Sequence, residues 1–332
     1  MDGTFIARGC CTVSIAFTAD TFGGVMHGTS SDIFTQLHID VARNSTDDFN
    51  LFHDSKNWHK IKNNPFQGPI TLGFQLESLV EGKVFEFRRS ANEQALISQH
   101  RLHFSNYQFA FANAIKAGQA IEVDIKPSQF KQEPKPILSN RIMVKSDGNL
   151  ALLGYKKETV EPLYLMEADF SDQGDLRYQP DRGFLASGHF MKRKFMTTSN
   201  AKNFLCGSLR DQSEFFDELQ DKVIFPEMFP CALLSSALLE KALKKGHDFE
   251  KNPMVYTSHK ISMDKRLLAE LKSNDALHIL IKPTEDSTEH DFGEQASTAL
   301  DYECYGLVGN NALLFRALIS LAPLEMILQS LS

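Results

Sequence analysis

A chain of 332 residues with a formal charge of −7, 42% hydrophobic and 23% charged, has the composition of a folded globular protein long enough for two domains. The acidic balance, with an isoelectric point near 5.9, excludes the dominant basic surface that nucleic acid requires. Phenylalanine is abundant (26) and tryptophan single, which suggests interiors built on rings with room for an apolar pocket.

The five cysteines (Cys10, Cys11, Cys206, Cys231 and Cys304) are odd in number and show no CxxC spacing. That argues against a disulfide frame or a zinc site and for a reducing compartment, the cytoplasm. No apolar run reaches the ~18 residues that span a bilayer. The stretch Gly9–Phe17 reads as a buried first strand rather than a secretory signal, because Asp2 precedes it and no small-x-small cleavage site follows.

In chain order, residues 4–28 have strand and turn composition (Phe5, Ile6, Val13, Ile15, Phe17) and break at Gly23-Gly24. Thr29-Ser30-Ser31-Asp32 then caps a helical pattern through Ile33, Phe34 and Leu37 toward Val41. An irregular loop or short helix follows over Asp48–His53. From Pro69 to Glu81 the spacing of Leu72, Leu76, Leu79 and Val80 predicts one face of a buried helix. Strands are predicted at Val84–Arg88, Ala95–Phe104, Ala120–Lys126, Ile137–Lys145 and Leu150–Lys156, broken at Gly118, Pro127, Pro134, Pro136 and Asp147-Gly148.

The second half repeats this plan. Ile121-Glu122-Val123-Asp124-Ile125-Lys126-Pro127 has a near copy 156 positions later in Leu277-His278-Ile279-Leu280-Ile281-Lys282-Pro283. Gly73-Phe74-Gln75-Leu76-Glu77-Ser78 aligns 157 positions later with Pro230-Cys231-Ala232-Leu233-Leu234-Ser235. Two similar offsets in the same order mark an internal duplication. The modules are set at 1–157 and 184–332, joined by a linker at 158–183 rich in Glu, Asp, Gly and Pro. Each is short for an exposed sheet of its own, so the halves are expected to join strands edge to edge into one sheet.

The chemistry gathers in the first module. Asp48, Asn50 and His53 place a carboxylate, an amide and an imidazole within six residues, and Gly68, Ile70 and Gly73 then lead into the helix. Singly, each has a structural reading: Ser45-x-x-Asp48 as a cap, Asn50 as an Asx-turn, His53 satisfied by a carbonyl. Together they outline a general acid–base site beside a helix N-terminus.

Asp48-x-Asn50-x-x-His53 followed by Gly68-x-Ile70-x-x-Gly73 resembles the MaoC-like hydratase/dehydratase family of hot-dog proteins. Lys116-Ala117-Gly118-Gln119-Ala120-Ile121-Glu122-Val123 resembles that family's strand-opening signature. The resemblance covers most of residues 30–157, and the two copies are similar to the fused double hot-dog members. Asp47 stands where the family has glycine, and Leu51 where it has proline; a glycine there permits a tight turn that Asp47 must adopt at some cost. In the second half Asp211 is retained, but Ser213 and Phe216 stand at the asparagine and histidine positions. A phenyl ring transfers no proton, so that half reads as a structural partner.

The resemblance implies an α+β double hot-dog, with central helices at about 69–81 and 226–244 wrapped by antiparallel strands. It implies reversible hydration of a trans-2-enoyl thioester, or the reverse dehydration, with Asp48 and His53 as the catalytic pair and Asn50 positioning water or substrate. The Gly73 backbone N–H would be the oxyanion donor, and Thr71, Phe225, Met228 and Phe229 would bind the acyl part. No metal or redox cofactor is implied; CoA or an acyl carrier protein brings the substrate to a monomer or homodimer. A hot-dog thioesterase and a non-catalytic acyl-binding or scaffold protein are the alternatives. Lys56, Lys60 and Lys62 are read first as a solvated face and second as phosphate contacts. His100, His103 and the pair His53 and His59 lack a third ligand at metal spacing. No GxGxxG or GxxxxGKS motif supports nucleotide chemistry.

Overall fold

The computed structural model describes residues 32–290 and 299–331, so the expectations for residues 4–28, for Thr29 to Ser31 of the cap, and for Cys10 and Cys11 lie outside the described residues. Asp32, the last residue of the expected cap, and Ile33 instead form a short strand paired with Ala120 and Ile121, and the helix begins at Gln36. Among the described residues one twelve-stranded sheet dominates, every pairing antiparallel. Across it run Ala120–Ile125, Ile137–Ser146, Asn149–Thr159 and Phe104–Phe111. Met254–Asp264, Ala312–Pro323, Leu300–Val308, Asp275–Pro283 and Phe190–Met196 continue the order. Phe104–Phe111 and Met254–Asp264 meet at the seam, and from there the order mirrors outward. Phe104–Phe111 pairs with Met254–Asp264 in a register that sets Tyr107 opposite Ile261 and Phe109 opposite His259. The halves therefore share one continuous sheet, and the two near-copies at 121 and 277 are equivalent strands.

Each half lays a long helix on this sheet, Gly73–Ser90 in the first and Met228–Ala232 running into Leu234–Lys244 in the second. One apolar core, including Leu76, Leu79, Val80, Phe229, Leu234 and Leu238, runs through both. The first helix extends past residue 81 because Val80, Val84 and Arg88 recur every fourth residue on one buried face, so Val84–Arg88 is helix rather than strand. Gln94–Gln99 is likewise a short helix, and the strand begins at Phe104.

Two further equivalent helices, Gln36–Thr46 and Thr198–Gly207, pack on each other. Gly207 is required at their contact: a Cβ there would lie 2.8 Å from the backbone nitrogen of Ala42 and from the His38 carbonyl oxygen. The first of these helices starts at an N-cap, Thr35, whose hydroxyl accepts from the His38 amide. Its C-terminal end delivers the Asp48–His53 loop.

Buried charge ties the seam together. Glu158 pairs with Arg88 at 2.5 Å, with Lys265 at 2.5 Å and with Lys156 at 3.1 Å, and Lys156 reaches Glu227 at 2.8 Å. Burial alone would raise the Glu158 carboxyl, but Lys156, Lys265 and Arg88 together hold it below the carboxylate range.

Candidate active site

The helix Gln36–Thr46 ends at Asp47, which adopts the left-handed conformation at φ 53° and donates its N–H back to Arg43 and Asn44 carbonyls. This is the position where a glycine costs least. The Asp47 carboxylate pairs with Lys194 of the other half. The chain then turns on its own side chains. Asp48 Oδ1 accepts from the Asn50 amide at 2.9 Å, and Asn50 Oδ1 accepts from the Phe52 amide at 3.1 Å. Asn50 is thus the N-cap of a one-turn 3-10 helix, Leu51–His53. Arg43 braces the loop by donating to the Asp48 carbonyl at 2.9 Å and to the Asp54 carboxylate at 2.8 Å. The Asx-turn reading of Asn50 holds, but Ser45 is no cap: it sits inside the helix Gln36–Thr46, where its hydroxyl donates to the Ala42 carbonyl at 2.7 Å.

His53 is buried, and its Nδ1 lies 2.8 Å from the Ile70 carbonyl oxygen. A carbonyl only accepts, so Nδ1 carries the proton and Nε2 is the lone-pair nitrogen of the neutral ring. The Ile70 amide in turn donates to the Phe52 carbonyl at 2.9 Å, which clamps the loop to the segment leading into the long helix. Burial holds the His53 ring below its ordinary proton affinity; the nearby Asp48 carboxylate and the Ile70 carbonyl oppose that shift.

His53, Asn50, Thr71 and Gly73 line a common cavity of about 350 Å³. Gly73 is the first residue of the helix Gly73–Ser90, where the amides have no carbonyl within the helix to receive them. A Cβ at Gly73 would sit 3.1 Å from the tip of the Phe111 ring, itself part of the cavity lining, so glycine leaves room for that ring. Behind it, Glu77 and His259 form a fully buried pair at 2.9 Å, with the His259 ring stacked on Phe74.

Two placements differ from the sequence expectation. Asp48 is buried beside His53, close enough for its charge to act on the ring, but the cavity wall itself is formed by Asn50 and His53 and not by Asp48. Phe225, Met228 and Phe229 do not line this cavity. They are core residues, with Phe225 stacked on Phe229 at 6.1 Å and Phe216 set edge-on against Phe225 at 5.8 Å. A short aromatic run in front of a helix reads the same whether it faces a ligand or fills a core.

The cavity draws instead on parts of the second half that carry no motif. Tyr256 and Thr257 come from the seam strand, Leu238 and Leu239 from the second long helix, and Leu324 and Leu328 from the C-terminal helix Leu324–Leu331. The Tyr256 hydroxyl lies 3.0 Å from Ser235 Oγ, and burial together with the Asp48 charge keeps it protonated. Lys56, Lys60 and Lys62 are exposed and lie off the cavity wall. Among the described residues no group of three or more His, Cys, Asp or Glu comes together to hold a metal, and no helix is long and apolar enough to cross a membrane.

A sheet shared by two duplicated halves, each with its long helix, defines a double hot-dog fold. Solved structures share it. One, a MaoC-like dehydratase, is 9% identical, with a TM-score of 0.53 over 89% of this chain and 96% of that chain. Another is a conserved hypothetical protein of Mycobacterium tuberculosis with a double hotdog fold, 11% identical, with a TM-score of 0.53 over 91% of this chain and 96% of that one. At such identities the likeness is one of fold. No family model matches the sequence, and no curated protein matches it either.

Proposed function

We propose that this chain is a hydratase of trans-2-enoyl thioesters, or a dehydratase of 3-hydroxyacyl thioesters, acting on substrates carried by CoA or an acyl carrier protein. The observation that carries the reading is one cavity lined both by His53, whose Nδ1 and not Nε2 is taken up by the Ile70 carbonyl, and by Gly73, the first residue of a helix. In hydration the water oxygen bonds to C3, a base takes the water's proton, and C2 receives a proton. The thioester oxygen carries negative charge in between. His53 meets the ligand, takes the proton from water and passes it to C2, while the Asp48 carboxylate raises its basicity from behind. The Gly73 N–H and the helix dipole stabilise the oxygen, a contribution of about 3–4 kcal/mol for one well-aimed donor. The reaction is redox-neutral, and CoA or phosphopantetheine enters only as part of the substrate.

Mixing the protein with crotonyl-CoA and longer enoyl-CoA, and following conjugated absorbance alongside free thiol, tests the reading. Absorbance lost without thiol release is expected. Thiol release would make it a thioesterase. Neither signal would favour acyl binding without turnover, the reading supported by the position of Asp48 off the cavity wall.

A further inference from the structure

The C-terminal helix has no part in the chemistry above, yet it forms a wall of the cavity. Leu324 donates its N–H to the Pro253 carbonyl at 2.9 Å, which fixes the helix start beside the seam strand. Leu324 packs with Phe52, Ile61 and Ile70, and Leu328 lies against the same cluster, so the helix reaches across to the loop that carries His53. Leu324, Ile327 and Leu328 all line the cavity, the i, i+3, i+4 stripe of one helix face, while Glu325 and Met326 point outward. The cavity's size lies within the ~300–1,000 Å³ of small-molecule sites. Its reactive groups are few, and the wall supplied by this helix is wholly apolar.

We infer that the stripe Leu324, Ile327 and Leu328 determines specificity, as the surface against which an extended acyl chain lies while the thioester end meets His53 and Gly73. The chemistry of the occupant follows from the two kinds of lining. A polar end is needed at the loop and helix N-terminus, and a hydrocarbon end along the helix, because water held by apolar walls lacks the partners it needs. The placement of the thioester rests on the hydratase reading; the hydrocarbon contact does not.

Saturated acyl-CoAs, which cannot react, separate the two. With the full chain, titration calorimetry of butyryl-, octanoyl- and dodecanoyl-CoA is expected to show affinity rising about fourfold for each methylene buried, until the wall is covered. Leu328→Trp, and independently Ile327→Phe, are expected to weaken dodecanoyl-CoA about tenfold more than butyryl-CoA. Met326→Trp, on the outward face, should leave the series unchanged and reports on helix integrity. Affinity independent of chain length, or dodecanoyl-CoA bound as tightly by both stripe variants as by the unaltered protein, would overturn the inference. Chain-length dependence sensitive to the stripe, in a protein that leaves enoyl-CoA untouched, supports the inference and defeats the hydratase reading alone. Enoyl turnover with a flat binding series does the reverse.

Discussion

The two long helices begin in opposite circumstances. The first starts at Gly73, on the cavity wall. The second is met at its start by an internal anion: Glu81, from the first half's helix, accepts from the Glu227 amide at 3.1 Å and the Met228 amide at 3.0 Å. Arg210 holds that carboxylate at 2.9 Å, and it fits only because position 82 is glycine, where a Cβ would lie 2.7 Å from Arg210 Nε. In the second helix Leu238 stands 157 positions beyond Glu81, and it lines the cavity instead of filling a helix N-terminus. A helix start attracts negative charge; in one half the protein supplies the charge itself, and in the other the helix start borders the cavity. Duplicated scaffolds thus part ways through a few side chains, without any change in topology.

That contrast is broken most sharply at the imidazole. His53→Ala is expected to lower the hydration rate by about 10²–10⁴-fold, and the mirror substitution Phe216→His to create no second site. Enoyl-CoA kinetics on both variants check this, and an unimpaired His53→Ala would end the assignment. Next, Arg210→Met leaves Glu81 buried with amides alone and should cost about 3–5 kcal/mol, read as a shift in the urea midpoint at constant slope. Gly73→Ala pushes on Phe111 and is expected to reduce kcat/KM about tenfold, with Phe111→Leu restoring part of it; no change would mean that the amide is not used.

The smallest effect concerns pH. His53 is held below its ordinary value, so the neutral base persists into mild acid, and the acid limb of kcat/KM should have its midpoint below ~6.5. The unfolded chain takes up that proton near ~6.5 while the folded chain does not. The group's contribution to stability is therefore complete above that pH and declines as pH falls through it. Asp48→Asn removes a charge that raises the ring's affinity and should move the limb lower still, wherever residual turnover allows the profile to be recorded.

The duplication and the helix following Gly73 were legible because they rest on local period and on copied strings. The strands predicted at Ile137–Lys145 and Leu150–Lys156 occur as Ile137–Ser146 and Asn149–Thr159. The loop Asp48–His53 was legible too, since an Asx-turn and a one-turn helix are written in neighbouring residues. Tyr256, Leu238 and Leu328 were not. They reach the cavity through strand pairing and helix packing across long stretches of chain, and alone each is an ordinary apolar or aromatic position. Phe225 and Phe229 misled for the converse reason, because burial in a core and contact with a hydrocarbon ligand call for the same side chains. The strand predicted at Val84–Arg88 failed because β-branched and aromatic residues also suit a helix face packed against a sheet.

The seam between Phe104–Phe111 and Met254–Asp264 makes each half depend on the other. Severed from its twin, the first half would expose a raw strand margin, strand Glu158 and Lys156 without Lys265 and Glu227, and leave the cavity without its far side. Melting should accordingly occur as a single event, and a gene cut between the copies should yield insoluble fragments instead of one working and one idle piece.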